Sequence, residues 1–290
     1  MSVKPKWMRV RAPSRTQMEG MKRIRDILRT HQLHTVCQGA ICPNAITCWG
    51  ERTATFMILG SICTRACRFC GIPTGDPGGR VDQTEPERLA SAVADLELEY
   101  VVITSVDRDD LDDGGASIFA ESVTSIRKER PKARIELLIP DFSSDPRALH
   151  KVLAVKPDVI GHNMETVRAR TSGLRDRRAN YDQSLAVLGY LKNASDPSDT
   201  KIKTGLMLGL GETEGELRET FKDLADLGVD ALTLGQYLQP TPACVPEKRF
   251  VPPEEFESLE RMARESGIGW VVAGPLVRSS YRAADLFADG

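Results

Sequence analysis

The chain has 290 residues, 41% of them hydrophobic and 28% charged, with a formal net charge of −2. That composition fits one large or two small globular domains and argues against a chain built to coat nucleic acid, though not against a local basic patch. The longest apolar run, around Phe56–Ile62, falls well short of the roughly 20 residues a membrane helix needs, so no membrane partner is expected.

In chain order, Met1–Pro13 is basic but lacks an apolar core and a small-residue cleavage pattern. No signal peptide and a cytoplasmic location are therefore expected. A helix is predicted near Gln17–Thr30, followed by a first group of cysteines, all within an N-terminal extension of residues 1–52. From 53 to 250, β-branched runs alternate with amphipathic stretches. The strand candidates are Thr53–Gly60, Tyr100–Val106, Arg134–Pro140, Asp158–Asn163, Lys201–Gly209 and Ala231–Leu238. The helix candidates between them are Pro86–Leu98, Ala116–Lys128, Pro146–Ala154, Tyr181–Asn193 and Glu214–Leu227. Short strands separated by helices imply parallel βαβ units. Asn193–Thr200 reads as a surface loop. A C-terminal extension, 251–290, adds a helix, a short strand near Trp270–Ala273 and a polar tail. The expected α/β fold is a partial (β/α)6 TIM-like barrel, whose functional loops follow the C-terminal ends of the strands. An open doubly wound sheet is the alternative, and pattern alone does not separate the two.

Six of the seven cysteines lie between Cys37 and Cys70, and Cys244 stands apart. Such crowding reads as metal binding or catalysis rather than a disulfide scaffold. The second group, Cys63-Thr-Arg-Ala-Cys67-Arg-Phe-Cys70, follows the first predicted barrel strand. Packing on one helix face is disfavoured by Gly60 and Gly71-Ile-Pro73. Structural zinc usually takes four protein ligands, and a redox pair needs only two thiols. An iron–sulfur cluster suits three thiolates, and three ligands leave one iron of a four-iron cluster open. This Cys-x3-Cys-x2-Cys group resembles the signature of the radical S-adenosylmethionine superfamily.

The first group, Cys37, Cys42 and Cys48, has spacings that no helix places on one face. An irregular iron–sulfur loop is expected, with a zinc site completed by His31 or His34 as the alternative. The second triad begins only fifteen residues beyond Cys48. With Lys4-Pro-Lys-Trp7, Arg11-Ala-Pro13, Thr104-Ser-Val-Asp-Arg-Asp-Asp110, His162-Asn-Met-Glu-Thr166 and Arg278-Ser-Ser-Tyr281, the chain resembles the lipoyl synthase family from about residue 4 to 285. The resemblance implies a sulfurtransferase that joins sulfur to C6 and C8 of a protein-bound octanoyl group. It implies two [4Fe–4S] clusters and S-adenosyl-L-methionine. Cys63, Cys67 and Cys70 would hold the cluster that cleaves S-adenosylmethionine. Cys37, Cys42, Cys48 and Ser280 would hold an auxiliary cluster that donates sulfur, where the plain reading of Ser279 and Ser280 is helix capping.

Further contacts to S-adenosylmethionine are expected from Gly114 and Gly115, from Asn163 and Glu165, and from Gly209 and Gly211 in Gly205-Leu-Met-Leu-Gly209-Leu-Gly211. Turn, loop and capping roles compete at each. Arg65 and Arg68 read either as charges offsetting the cluster or as solvated surface. Arg168, Arg170, Arg175, Arg177 and Arg178 read either as a solvated loop or as a dock for an acidic carrier. Cys244 and Arg282 stand where the family usually has histidine, and neither change removes a cluster ligand.

The partners the resemblance implies are octanoylated lipoyl carrier domains, namely dehydrogenase E2 subunits and the glycine cleavage H protein. A donor such as ferredoxin or flavodoxin and a cluster-repair iron–sulfur carrier complete the set. The competing functions are a biotin synthase-like sulfur-inserting enzyme and a non-catalytic iron–sulfur or zinc protein.

Overall fold

The β-branched runs form a single sheet, which a computed structural model describes within residues 5–8, 14–36, 44–50, 53–281 and 283–287. A two-residue strand, β1 (His34–Thr35), pairs antiparallel with β2 (Thr53–Ile58). Then come β3 (Tyr100–Ser105), β4 (Arg134–Leu138), β5 (Val159–Gly161), β6 (Lys201–Leu208), β7 (Ala231–Gln236) and β8 (Trp270–Gly274), all parallel to β2 and hydrogen-bonded in chain order. The order never reverses, which excludes the doubly wound alternative, since that fold needs a switch point. Right-handed crossovers in one direction keep the helices on one face, so the sheet curls about the other. The fold is the partial barrel expected from the sequence. The short strand at Trp270 is its outermost member, paired with β7.

Seven helices line the outer face or its ends: α3 (Glu85–Asp95), α4 (Ala116–Glu129), α5 (Pro146–Ala154), α6 (Arg168–Leu174), α7 (Tyr181–Ala194), α8 (Glu214–Asp226) and α9 (Pro253–Glu265). Before β2 lie α1 (Arg15–Thr30) and α2 (Ala45–Gly50), packed on one another. Local chemistry starts these helices. Ser14 with Gln17, and Thr213 with Glu216, form reciprocal capping boxes. Asp145 caps α5 ahead of Pro146, and Asn180 caps α7.

Register shows how the two faces of the sheet differ. Side chains alternate along a strand, and paired residues of parallel strands share a face. One face carries Phe56, Ile58, Val101, Ile103, Ile135, Leu137, Ile160, Ile202, Leu232 and Leu234, all buried in the core against the helices. The other carries Thr55, Tyr100, Thr104, Glu136, Gly161, Lys203, Gly205 and Gly235. A closed barrel of this type fills its interior with bulky branched side chains. Here the concave face mixes polar and small residues with a few apolar ones, among them Met57, Val102 and Leu138. Lys203 and Glu136 are nevertheless sealed there, 2% and 1% exposed, and pair at 2.8 Å, with Tyr100 donating to Glu136 at 2.7 Å.

Candidate functional site

The loop after β2 turns sharply. Leu59 and Gly60 both have positive φ, +67° and +88°, a region that Gly60 enters without a Cβ clash. The following chain is pinned by backbone bonds from Cys63 N to Pro73 O at 2.9 Å and from Gly75 N to Cys63 O at 3.0 Å. This folded loop brings Cys63, Cys67 and Cys70 onto one cavity of about 190 Å³ at the C-terminal end of the strands.

All three thiols already receive backbone amides. Arg65 N–H points to Cys63 Sγ at 3.4 Å, and Asp176 N–H to Cys67 Sγ at 3.3 Å. Such donors favour thiolate, as a metal ligand requires. Burial acts the other way. It pushes the Cys63 thiol up, Cys67 up to about 11 and Cys70 up to about 12. Burial thus favours the protonated thiols, and a cation bound by all three would have to supply what deprotonation needs.

The loop is held by Arg65, which is 4% exposed. Its guanidinium grips Asp141 through two bonds of 2.6 and 2.7 Å, and Asp109 at 2.7 Å. Asp107 lies 3.3 Å away. Arg65 is therefore neither solvated nor free to neutralise a cluster; its charge is matched by the carboxylates that anchor it. Arg68 is exposed and donates to Gly173 O at 3.1 Å. Behind the loop, the Cys244 thiol approaches Cys70 O at 3.4 Å and Thr241 Oγ1 at 3.3 Å. Cys244 thus packs the 239–245 segment against the loop and does not join the triad on the cavity.

Asn163 and Glu165, expected as cofactor contacts, line the same cavity. After β5 the chain leaves the ladder and re-pairs at Glu165, whose N–H bonds Gly205 O at 3.0 Å and whose O accepts from Met207 N at 2.9 Å. Glu165 holds φ +65°, unusual for a residue with a side chain, and Asn163 donates to its carboxylate at 3.1 Å. Gly205 is required here, because a Cβ would lie 2.9 Å from Asn163 Oδ1.

The other expected glycines are not among the cavity's lining residues. Gly115 opens α4, and a Cβ on it would meet Leu59 at 2.2 Å; Gly114 packs on Phe142. Gly209 packs on Gln236 and Arg249, and its amide is held by the buried carboxylate of Glu212 at 2.6 Å. All four have positive φ, and Gly114 lines an adjoining cavity with Arg65 and Asp107. The cavity is also lined by Thr104–Asp107 at the end of β3, His162 after β5, and Arg175. Burial pushes the Asp107 carboxyl up to about 6 against the pull of Arg65. His162 is sealed and neutral, bonded to Ile139 O and Ser184 Oγ.

The arginine stretch does not form one open basic face. Arg168 pairs with Asp182, and Arg178 with Asp176 and Asp109. Arg175 turns inward to the cavity, donating to Ser184 Oγ at 2.7 Å while its buried Nε has no partner. Arg177 is exposed, beside Arg178, whose guanidinium reaches Thr64 O of the cysteine loop.

A second, smaller cavity lies where the extensions meet the sheet. Cys48 on α2 and Ser280 in the tail both line it, with Asn44, Thr53, Thr55 and Arg278. Thr55 Oγ1 donates to Ser280 Oγ at 3.0 Å, and Asn44 Nδ2 donates to Leu276 O at 2.5 Å, joining the segment before β2 to the tail. Cys37, Cys42 and Arg282 lie outside the described residues. α2 was not expected; the glycines and Pro43 around Cys48 obscured its one and a half turns.

Residues 57–224 match the Radical SAM superfamily. The chain is 51% identical to a lipoyl synthase of Myxococcus xanthus, covering 99% of this chain and 94% of that one. It is 50% identical to a lipoyl synthase of Thermus thermophilus, covering 99% and 87%. In fold it is similar to the FeFe-hydrogenase maturase HydG from Carboxydothermus hydrogenoformans, with a TM-score of 0.58 at 14% identity over 94% of this chain and 78% of that one.

Proposed function

The chain belongs to the lipoyl synthases of the radical S-adenosylmethionine superfamily, and from that premise we propose how its residues divide the work. The reaction is insertion of two sulfur atoms, at C6 and C8 of a protein-bound octanoyl group, using S-adenosyl-L-methionine and [4Fe–4S] clusters. The observation that carries the assignment of roles is the convergence of Cys63, Cys67 and Cys70 on one cavity at the strands' C-terminal ends. Three thiols, each met by a backbone amide, suit a cluster with one iron left open.

When bound, the cluster and S-adenosylmethionine supply a 5′-deoxyadenosyl radical able to take hydrogen from an unactivated carbon. The chain's own residues position and shield. Arg65 fixes the cysteine loop through Asp109 and Asp141. Arg175 offers a cation inside the cavity, suited to the carboxylate of the methionine moiety, and its Nε gains a partner on binding. Asn163 and Glu165 offer acceptors suited to ribose hydroxyls. No acid–base pair is needed, because the reacting C–H bond carries no acidic proton.

Cys48 and Ser280, with Cys37 and Cys42, would hold the auxiliary, sulfur-donating cluster. The cavity shared by Cys48 and Ser280 supports that reading. Residues 1–52 and the tail after β8 then act as extensions that meet at this second centre, flanking a barrel that continues past 250 through α9 to β8. An alkoxide is a harder and more replaceable iron ligand than thiolate, which suits a cluster that must open to release sulfur.

The substrate is an octanoylated carrier domain. Arg68 and Arg177, both exposed and close in sequence to the cavity residues Cys67 and Arg175, offer an acidic carrier its first contact. A low-potential one-electron donor and a cluster-rebuilding partner complete the cycle. Cysteines that serve as cluster ligands suit a reducing compartment such as the cytoplasm. Among the described residues no helix is long and apolar enough to cross a membrane.

Anaerobic reconstitution tests the division of roles. About eight iron atoms per chain are expected, about four of which disappear in a Cys63→Ala, Cys67→Ala, Cys70→Ala protein together with S-adenosylmethionine cleavage. Retained cleavage in that triple variant would remove the assignment.

A further inference from the structure

The tail crosses the concave face of the sheet. Val277 O stands where a Cβ on Gly235 would be, 2.1 Å away; Ser280 bonds Thr55 at 3.0 Å; Phe287 packs on Tyr100, ring centroids 6.4 Å apart, and under the guanidinium of Arg134 at 3.9 Å. Gly235, Thr55 and Tyr100 belong to β7, β2 and β3, and the ladder pairings put all three on the same face. Ser280 is thus suspended between two fixed points. On one side, a strand position without a side chain admits the backbone of Val277. On the other, an aromatic ring is set into a small cluster of Tyr100 and Val102 that is separate from the main core.

We propose that Gly235 and Phe287 are positioning residues for Ser280. They hold the tail against the concave face so that Ser280 Oγ stays on the cavity it shares with Cys48. The physical reason is entropic as well as steric. A short polar tail attached only through residue 274 samples many conformations, and one weak ligand oxygen does not order it. Anchors on both flanks restrict it beforehand, and the oxygen then remains replaceable without the tail being lost. This proposal rests on the reading of Ser280 as an auxiliary-cluster ligand.

Three variants, Phe287→Ala, Phe287→Leu and Gly235→Ala, test it beside Ser280→Ala. In the cluster-free protein, amide exchange over residues 275–281 reports the tail directly. Phe287→Ala should accelerate it on the order of tenfold, the effect of removing one aromatic anchor from a locally opening segment, and Phe287→Leu should recover most of the protection. After reconstitution, the Mössbauer signature of the auxiliary cluster should shift in Phe287→Ala and Gly235→Ala as it does in Ser280→Ala, while S-adenosylmethionine cleavage reports an intact primary site. A shift in Ser280→Ala, with wild-type exchange and signature in Phe287→Ala, would overturn the positioning role alone. An unshifted Ser280→Ala would remove the ligand reading and the proposal with it. Should Gly235→Ala not fold, Phe287→Ala decides.

Discussion

Thr55 Oγ1 donates a 3.0 Å hydrogen bond to Ser280 Oγ, linking the first parallel strand to a residue 225 positions later. The bond leaves the serine oxygen as acceptor, the polarity that would also stabilise it as an alkoxide. Ser280→Cys should therefore retain about eight irons yet lose sulfur insertion, because a thiolate holds iron more firmly. Thr55→Val should cost about 1 kcal/mol of stability, read by thermal melting, and weaken the auxiliary centre without emptying it. Unchanged turnover in Ser280→Cys would count against the replaceable-ligand role.

Arg65 predicts a larger effect. Its side chain is 3% exposed and matched by Asp141 at 1% and Asp109 at 19%. Arg65→Met leaves the buried Asp141 carboxylate, and Asp107 beside it, without their cation, while Asp109 keeps Arg178 at 3.2 Å; the loss costs about 3–5 kcal/mol. Arg65→Lys keeps the charge but loses the fork and should fall between. Denaturant unfolding of the cluster-free proteins checks the order. Equal stability of Arg65→Met and wild type would show that the clamp does not hold the loop.

A pH dependence follows from Asp113 at the start of α4. Burial would raise its carboxyl, but bonds from Lys151, Ser117 and the Gly115 and Ser117 amides outweigh it and bring the group down to about 2 from 3.8. A lowered folded value means the contribution is fully present above about pH 4 and is lost as pH falls toward 2. Asp113→Asn should lower stability at pH 7 by about 1 kcal/mol, given the partial exposure of the pair. The gap to wild type should narrow below pH 4. A gap independent of pH would contradict the assignment.

The proposed carrier dock takes in fewer residues than the arginine count suggests. Arg168 and Arg178 already have carboxylate partners, so Arg168→Glu should change carrier affinity little. Arg68→Glu with Arg177→Glu should weaken it about tenfold at low salt, and less at high salt, by calorimetric titration. The same loss with a free octanoyl-lysine peptide would move the effect from docking to the active cavity.

Much of this was legible in the sequence because periodicity is a backbone property. Pro146–Ala154 lies where its proline and spacing put it, and the six predicted strands are each found within a few residues. β5 is shorter than predicted because His162–Met164 leaves the ladder, and an apolar run carries no mark of such a departure. The thiol triad was legible from spacing. Which glycines face the cavity was not: Gly114, Gly115, Gly209 and Gly211 have positive φ for turns, and turn chemistry looks alike in sequence whether or not a ligand lies near. Arg175 was hidden inside a run that read as surface charge, since only the course of α6 and its following turn points it inward. Phe287 carried no signal, because its partners Tyr100 and Arg134 are distant in the chain.

On this reading one triad starts the radical chemistry and the other centre gives up sulfur. Anaerobic single turnover of the fully loaded protein with an octanoylated carrier domain, followed by mass spectrometry of the carrier, tests it most directly. A carrier that gains two sulfur atoms, with Ser280→Cys giving none, is the predicted result. A carrier that gains no sulfur while S-adenosylmethionine is consumed would contradict it.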